Sequence, residues 1–301
     1  MLYKSITLIV GTMYYITCFL MGGLGNQLFQ IFTTIAYGLQ NQRRVIFHYS
    51  DVLTTGTRRP TYWSTLLSAI RHFTDEKFPV NMSQFPLYRE PQFSYIPIPT
   101  NYSDKTQPLM LYGYFQSYKY FDSERKTICS FIRLEEKKLA VRTEYPELFA
   151  KPDVITISMH FRLGDYKSLQ DFHPLLKLGY YQSAIEQIML HFQEERIRVL
   201  FFCEKSDNAD VINIINELPL NERIEYMKVN DTIDDWKQML IMSCCHSNII
   251  ANSTFSWWGA YLNDNPHKKV YYPSTWFGGR LSSKNNTNQL FPESWIRVNC
   301  S

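Results

Sequence analysis

The sequence predicts an α/β protein built from two Rossmann-like, doubly wound halves. Two observations carry that prediction. Short β-rich apolar runs alternate with amphipathic helical runs along most of the chain, the pattern of open parallel sheets covered by helices. In the C-terminal half, polar and glycine residues follow each strand run and so collect along one sheet edge, where sheets of this kind bind ligands. At 301 residues, with 45% hydrophobic and 16% aromatic content, the chain can bury a sizeable core.

The N-terminal half, residues 1–150, opens on SITLIVGTMYYITCFLM, an apolar stretch of about membrane-spanning length. Thr7, Gly11, Thr12, Tyr14, Tyr15 and Thr17 interrupt it, and its end runs straight into a glycine turn, as a strand would. It reads as two strands, or as an extension ahead of an internal start at Met13. Stable membrane insertion is not expected and a cytoplasmic location is; a membrane anchor through residues 5–21 is the alternative. YYITCFLM is the strand, and GGLGNQ is the turn. A helix follows with Leu28, Phe32, Ile35 and Leu39 on one face, and then a strand over Val45–Tyr49. Residues 51–107 are rich in Pro, Thr, Tyr and Arg and show little periodicity beyond a helix starting near Ser64, so they read as an irregular insertion, of a kind that often forms substrate loops. LMLYGYFQSYKYF gives a strand and a turn, and a charged helical segment from Ser123 to Leu148 leads to Pro152 at the boundary.

The C-terminal half, residues 151–301, is a second Rossmann-like series. DVITISMH, RVLFFCE, IEYMKV, SNIIAN and KKVYYP are its strands. Between them lie helices at YYQSAIEQIMLHFQEE, Asn208–Leu218, DDWKQMLIMSCC and TFSWWGAYLN.

Charge and cysteine usage exclude several classes. A net charge of +3 without long basic runs gives no support for nucleic-acid binding. The six cysteines have no zinc-ligand spacing, and several lie in apolar runs, so they read as reduced thiols. The N-x-S/T triplets at Asn81, Asn101, Asn230, Asn252, Asn285 and Asn299 read as chance occurrences, since Asn252 falls in apparent core.

Candidate chemistry lies where strands end. Gly22, Gly23 and Gly25 let backbone N–H groups approach a ligand at the start of a helix, with Asn26 and Gln27 beside them. His160 and Arg162 share one side of an extended strand end by period-two alternation. Arginine suits this place because its guanidinium grips a phosphate in bidentate fashion at any working pH. The alternative is an Arg162–Asp165 salt bridge that pins the loop. Asn252, Ser253, Thr254 and Ser256 stand where a helix begins, so hydroxyls and free N–H groups can hold phosphate oxygens or simply cap the helix. Ser206 and Asp207 either cap a helix or touch a nucleotide. Trp257 and Trp258 cannot share one helix face, so at least one belongs to the core. No D-x-D carboxylate pair exists in the chain, and Arg162 with helix N-termini can neutralise a diphosphate, so neither metal nor cofactor is expected.

Six stretches, MGGLGNQLFQ, GYFQSYKYF, SMHFRLGDYK, LGYYQSAI, FFCEKSDN and IIANSTFSWWGAYL, occur in an order that resembles the family 11 glycosyltransferases, the α-1,2-fucosyltransferases. The likeness runs from about Tyr15 to Trp276. It implies a metal-independent GT-B-like enzyme whose two Rossmann-like domains face a cleft, with residues 151–301 as the nucleotide-sugar donor domain and the insertion at 51–107 on the acceptor side. The implied reaction moves L-fucose, with inversion, from GDP-β-L-fucose to the 2-hydroxyl of a galactose-containing glycan. It also implies that Arg162 is the donor-phosphate arginine, with His160 and Asp165 its companions. Leu163 stands where the family often has a second basic residue, and the tryptophan often found after the Ser-Asp stretch is missing. The general base stays open among His160, Asp165, Asp171 and His173. Two rival readings are a galactoside-binding protein without catalysis and a nicotinamide-dependent oxidoreductase. The second rests on a degenerate glycine fingerprint in which Leu28 takes the third glycine position.

Overall fold

The computed structural model describes residues 14–78, 83, 85–100, 102, 107–149, 153–219 and 221–300. The expectations for residues 1–13 and for the boundary at 150–152 lie outside the described residues. The N-terminal half holds β1 (Tyr15–Cys18), α1 (Leu24–Gln40), β2 (Arg44–Val45), β3 (Phe47–His48), β4 (Val52–Leu53), β5 (Arg59–Pro60), β6 (Thr74–Asp75), β7 (Leu87–Arg89), β8 (Leu109–Tyr112), α2 (Arg125–Phe131) and α3 (Leu134–Glu144). The C-terminal half holds β9 (Val154–His160), α4 (Leu178–His191), β10 (Arg196–Phe202), α5 (Asn208–Glu217), β11 (Ile224–Lys228), α6 (Asp235–Ser243), β12 (Ser247–Ile249), α7 (Thr254–Tyr261), β13 (Val270–Pro273), α8 (Gly279–Ser282) and β14 (Ile296–Val298).

Each half carries an all-parallel sheet. The first has the order β2-β1-β8-β7. The second has the order β11-β10-β9-β12-β13-β14. Counted from β9, that order is 3-2-1-4-5-6, the Rossmann arrangement, and it reverses between β9 and β12. The chain leaves β9 toward one face of the sheet and β12 toward the other, so a crevice opens beyond their carboxyl ends. β9 is central and nearly all buried, which explains its continuous apolar and β-branched run.

Several expectations need correction. The strand read over Val45–Tyr49 is two short strands in different sheets, because β2 pairs with β1 whereas β3 pairs with β6. The helix read from Ser64 is a 3-10 helix over Ser68–Phe73, with non-helical backbone at Ile70. The segment from Ser123 to Leu148 is broken by Arg133, which takes left-handed backbone before α3. β7 lies inside the stretch read as irregular yet pairs with β8, and β14 was not foreseen. Leu39 is exposed, because it lies in the last turn of α1, beyond the packed part of the helix.

α1 is buried on nearly every side because it lies between its own sheet and α7. Phe29 meets Trp257 at 4.5 Å and Trp258 at 5.1 Å between ring centroids, and Phe32 meets Trp258 at 4.6 Å. Each such ring pair contributes about 0.5–1.5 kcal/mol beyond simple burial. Both tryptophans are fully buried, since α7 is covered by α1 on one side and by Phe121 and Trp295 on others, and Tyr261 of α7 itself stacks on Trp257. One apolar core therefore runs through both halves, and a second lies under α4 and α5. Polar contacts between the halves add to it: Arg125 and Lys138 reach Asp264, each at 2.5 Å, and Tyr62 donates to Asp235 at 2.5 Å. All six cysteines are free, as expected. Among the described residues, no helix is long and apolar enough to cross a membrane.

Candidate active site

The crevice between β9 and β12 is where the predicted residues gather. Beyond β9, Phe161 continues the ladder through its N–H to the Phe202 carbonyl, and its ring packs on Tyr181 at 4.2 Å under α4. Alternation sends His160 and Arg162 to the opposite side, as predicted. There the His160 ring lies 5.4 Å from Phe255 at the start of α7, and the Arg162 guanidinium lies 5.2 Å over the Tyr166 ring.

Arg162 is held by two carboxylates. Its Nη2 donates to Asp165 Oδ1 at 2.6 Å, and its Nη1 donates to Glu204 Oε1 at the end of β10. The salt bridge to Asp165 is therefore present, with a second that the sequence did not reveal. Both carboxylates are about half exposed, at 48% and 51%, so an incoming phosphate can replace them on the guanidinium while water receives them. His160 is buried, and its Nδ1 has no partner among the described residues. Burial first, and Arg162 second, push its pKa down to about 3, so the imidazole is neutral.

Asp207 has a different place from the one expected. It is buried, and its carboxylate accepts from the Gly164 N–H at 2.7 Å and from Lys167 Nζ at 2.9 Å. Both oxygens are thus used to clamp the loop that carries Arg162, without a side-chain cap on α5. Ser206 is exposed beside it.

Ser253 caps α7, its Oγ accepting from the Phe255 N–H at 3.3 Å, and Ser256 Oγ accepts from the Ala251 N–H at 3.2 Å. Asn252 ties loops together by donating to the carbonyls of Pro174 and Trp276, at 2.9 and 3.3 Å. At α1, Gln27 Nε2 donates to the carbonyls of Gly22 and Pro60, each at 2.9 Å, and Asn26 Oδ1 accepts from Gln116 Nε2 at 2.9 Å. Gly22 has φ of +78° and is covered by the Asn26 side chain, so this turn needs glycine.

The glycine turn and the serine turn, 229 residues apart, meet. A Cβ on Gly25 would lie 2.5 Å from the carbonyl carbon of Thr254 and 2.7 Å from its Oγ1. From that contact the pairs advance together, Gly25 with Thr254 and then Phe29 with Trp257 and Trp258, so α1 and α7 run in the same direction. Both N-termini open at the crevice, and neither helix has an acidic residue in its first turn. Tyr166, under the Arg162 guanidinium, donates to the Asn252 carbonyl at 3.1 Å just before α7, so the guanidinium and two unneutralised helix N-termini belong to one crevice, a place for an anion.

Sequence reasoning missed Glu204, Tyr166, Lys167 and Gln116. Gln116 lay in a motif already noted, and Glu204 closes a strand run, but only the fold shows what they touch. Glu90 was missed too. It follows β7, and its Oε2 accepts from the N–H groups of Tyr114 and Phe115 at 2.7 and 2.9 Å, while Oε1 is buried without a partner among the described residues. Burial raises its pKa to about 7.

Comparison with known proteins gives the family and the fold. The family model for glycosyl transferase family 11 matches residues 11–299. The chain is 29% identical to the O-antigen biosynthesis glycosyltransferase WbnK of Escherichia coli, over 93% of this chain and 99% of that protein. It is 27% identical to an alpha-1,2-colitosyltransferase of Escherichia coli, over 62% and 61% of the two chains. To a galactoside 2-alpha-L-fucosyltransferase of Caenorhabditis elegans it is 24% identical, over 93% and 78%. Among solved structures, that of POFUT1 in complex with GDP matches with a TM-score of 0.50 at 12% identity, over 87% of this chain and 98% of that one. That likeness shows the fold, which is GT-B. The family match over residues 11–299 stands against the oxidoreductase reading. With a match over nearly its whole length, the chain belongs to glycosyl transferase family 11.

Proposed function

We propose that this glycosyltransferase moves L-fucose from GDP-β-L-fucose to the 2-hydroxyl of a galactoside, without a metal. The observation that carries the reading is that Arg162 lies over Tyr166, whose hydroxyl donates to the Asn252 carbonyl just before α7, at the switch point of the sheet and where the N-termini of α1 and α7 meet. An α linkage made from a β-linked donor requires inversion, so the acceptor hydroxyl attacks C1 from the side opposite the diphosphate. As the C1–O bond breaks, the sugar gains oxocarbenium character and negative charge grows on the β-phosphate. A fixed guanidinium and two helix N-termini stabilise that charge more than they stabilise the bound donor, which is what accelerates a reaction. The same groups supply the positive charge that a metal ion gives in other transferases, so the diphosphate needs no carboxylate-held cation. The names of the relatives support a 6-deoxyhexose donor, and a colitosyl donor is the second reading because one of them is a colitosyltransferase.

The test is to incubate the purified protein with a panel of nucleotide sugars, GDP-fucose, GDP-colitose and GDP-mannose among them, and galactoside acceptors. Mass spectrometry then identifies the transferred sugar, and NMR identifies the linkage. An α-1,2-fucosylated galactoside supports the proposal. Transfer of colitose alone favours the second reading, and binding of galactoside with no turnover of any donor overturns both.

A further inference from the structure

We propose that His173 is the general base that takes the proton from the acceptor hydroxyl. The inference rests on the glycosyl-transfer reading and assigns a role which that reading leaves open. His173 lies at the seam between the halves. Its ring stacks on Tyr166 at 4.7 Å and 17° between planes, and Tyr166 in turn lies under the Arg162 guanidinium. On its other side the ring meets Phe277 at 5.8 Å, and Phe277 meets Phe93 of the N-terminal half at 5.1 Å. The following residue, Pro174, is tied through its carbonyl to Asn252 at the foot of α7. The imidazole is thus fixed by its faces beside the donor arginine, on the side from which the other half of the molecule approaches. Among the described residues neither ring nitrogen has a hydrogen-bond partner, which leaves both edges for a substrate.

The other candidates fit less well. His160 is buried against Phe255 and held neutral down to strongly acidic pH. Asp165 pairs with Arg162 in the free protein and, once phosphate takes its place there, gives its half-exposed carboxylate to water. Asp171 points outward, with 75% of its side chain exposed, beside Arg280 at 3.6 Å. Glu90 has one oxygen occupied by two N–H groups and the other sealed from solvent.

The step balances simply. The acceptor O–H proton passes to an imidazole nitrogen while the oxygen lone pair forms the bond to C1. The C1–O electron pair leaves with GDP, and the imidazolium then returns its proton to water. The charged and titratable groups around the ring are Arg162, Asp165 and Tyr166 on the loop after β9, Asp171 on its own segment, and Arg280 on the segment that packs against it. Asp165 favours the imidazolium and Arg162 opposes it, while burial is the largest effect and keeps the free imidazole neutral. Phosphate on Arg162 cancels the opposing charge, so donor binding readies the base.

The experiment compares His173→Ala and His173→Gln with the wild type in kcat, KM, GDP affinity by calorimetry and the pH profile of kcat/KM. We expect kcat to fall about 10²- to 10⁴-fold, the usual range for a lost general base, with GDP affinity and thermal stability unchanged. The acidic limb of the profile should vanish in both variants, and added imidazole should restore part of the rate in His173→Ala. Retention of wild-type kcat, or a lost rate with the acidic limb intact, would overturn the assignment. So would loss of GDP affinity without imidazole rescue, which would make His173 a positioning residue. A wild type that binds GDP and transfers sugar keeps the underlying reading in all three cases; one that does neither overturns the reading and this assignment together.

Discussion

Replacing Gly25 by Ala probes the place where the two helix N-termini meet. The added methyl would lie 2.5 and 2.6 Å from the carbonyl carbon and oxygen of Thr254. Ordinary contact between carbon atoms is about 3.5–4.0 Å, so α1 and α7 must separate by roughly 1 Å. Trimming the Thr254 side chain does not relieve this, because the two nearest atoms are backbone. Overpacking of that kind costs about 1–3 kcal/mol, or roughly 2–10 °C in Tm for a chain of this size. The separation also moves one helix N-terminus away from the diphosphate, and a misplacement of about 1 Å can lower the rate by about 10²-fold. Gly23→Ala is the control, since nothing lies within 4 Å of a Cβ there. It should change stability by about 0.5 kcal/mol and, without the clash, lower the rate far less than Gly25→Ala does. Differential scanning fluorimetry and initial-rate kinetics measure both. A Gly25→Ala protein with wild-type Tm and rate, or a Gly23→Ala protein equally impaired, would refute the claim that the helix contact organises the site.

Arg162→Ala should lower kcat by roughly 10²-fold or more, and Arg162→Lys should also lower it distinctly because the bidentate fork is lost. Stability should fall by less than about 1 kcal/mol in either case, since both ion pairs are with half-exposed carboxylates; an unchanged kcat with only a raised KM would make the residue a uniform binder. Activity should survive EDTA, and complete loss restored by Mn²⁺ would refute the metal-free account. Glu90 has its folded pKa raised to about 7 by burial, so it favours the protonated form in the fold. Its contribution to stability is therefore present below the ordinary glutamate range and is lost as pH rises toward 7. Glu90→Gln should flatten that part of the Tm profile, and an identical profile in the variant would remove Glu90 from the explanation.

The C-terminal half was legible because its strands are long enough to carry a pattern. β9 and β10 are seven-residue runs rich in apolar and β-branched residues, each followed by a helix of clear period, and their order alone predicts a ligand at their carboxyl ends. The insertion was not legible because β4, β5 and β6 are two residues long and β7 three, so tertiary pairing decides them and no local period can form. At the site, Arg162 and His160 followed from alternation along one strand. Glu204 did not, because the partner of a charge 42 residues away is set by which strands lie side by side. Asp207 shows the limit in another way: it lies in the right loop, but its buried carboxylate serves the backbone of Gly164. The two turns were each read as ligand-facing from the sequence, yet that Gly25 rests on Thr254 depends on how the two halves pack.

The central claim is that Arg162 and the N-termini of α1 and α7 together hold the donor diphosphate. A crystal structure with GDP bound tests it most directly. The account predicts phosphate oxygens within hydrogen-bond distance of the Arg162 guanidinium and of first-turn N–H groups of α7, with Glu204 and Asp165 displaced from the guanidinium. A diphosphate bound elsewhere, with both ion pairs of Arg162 intact, would contradict it.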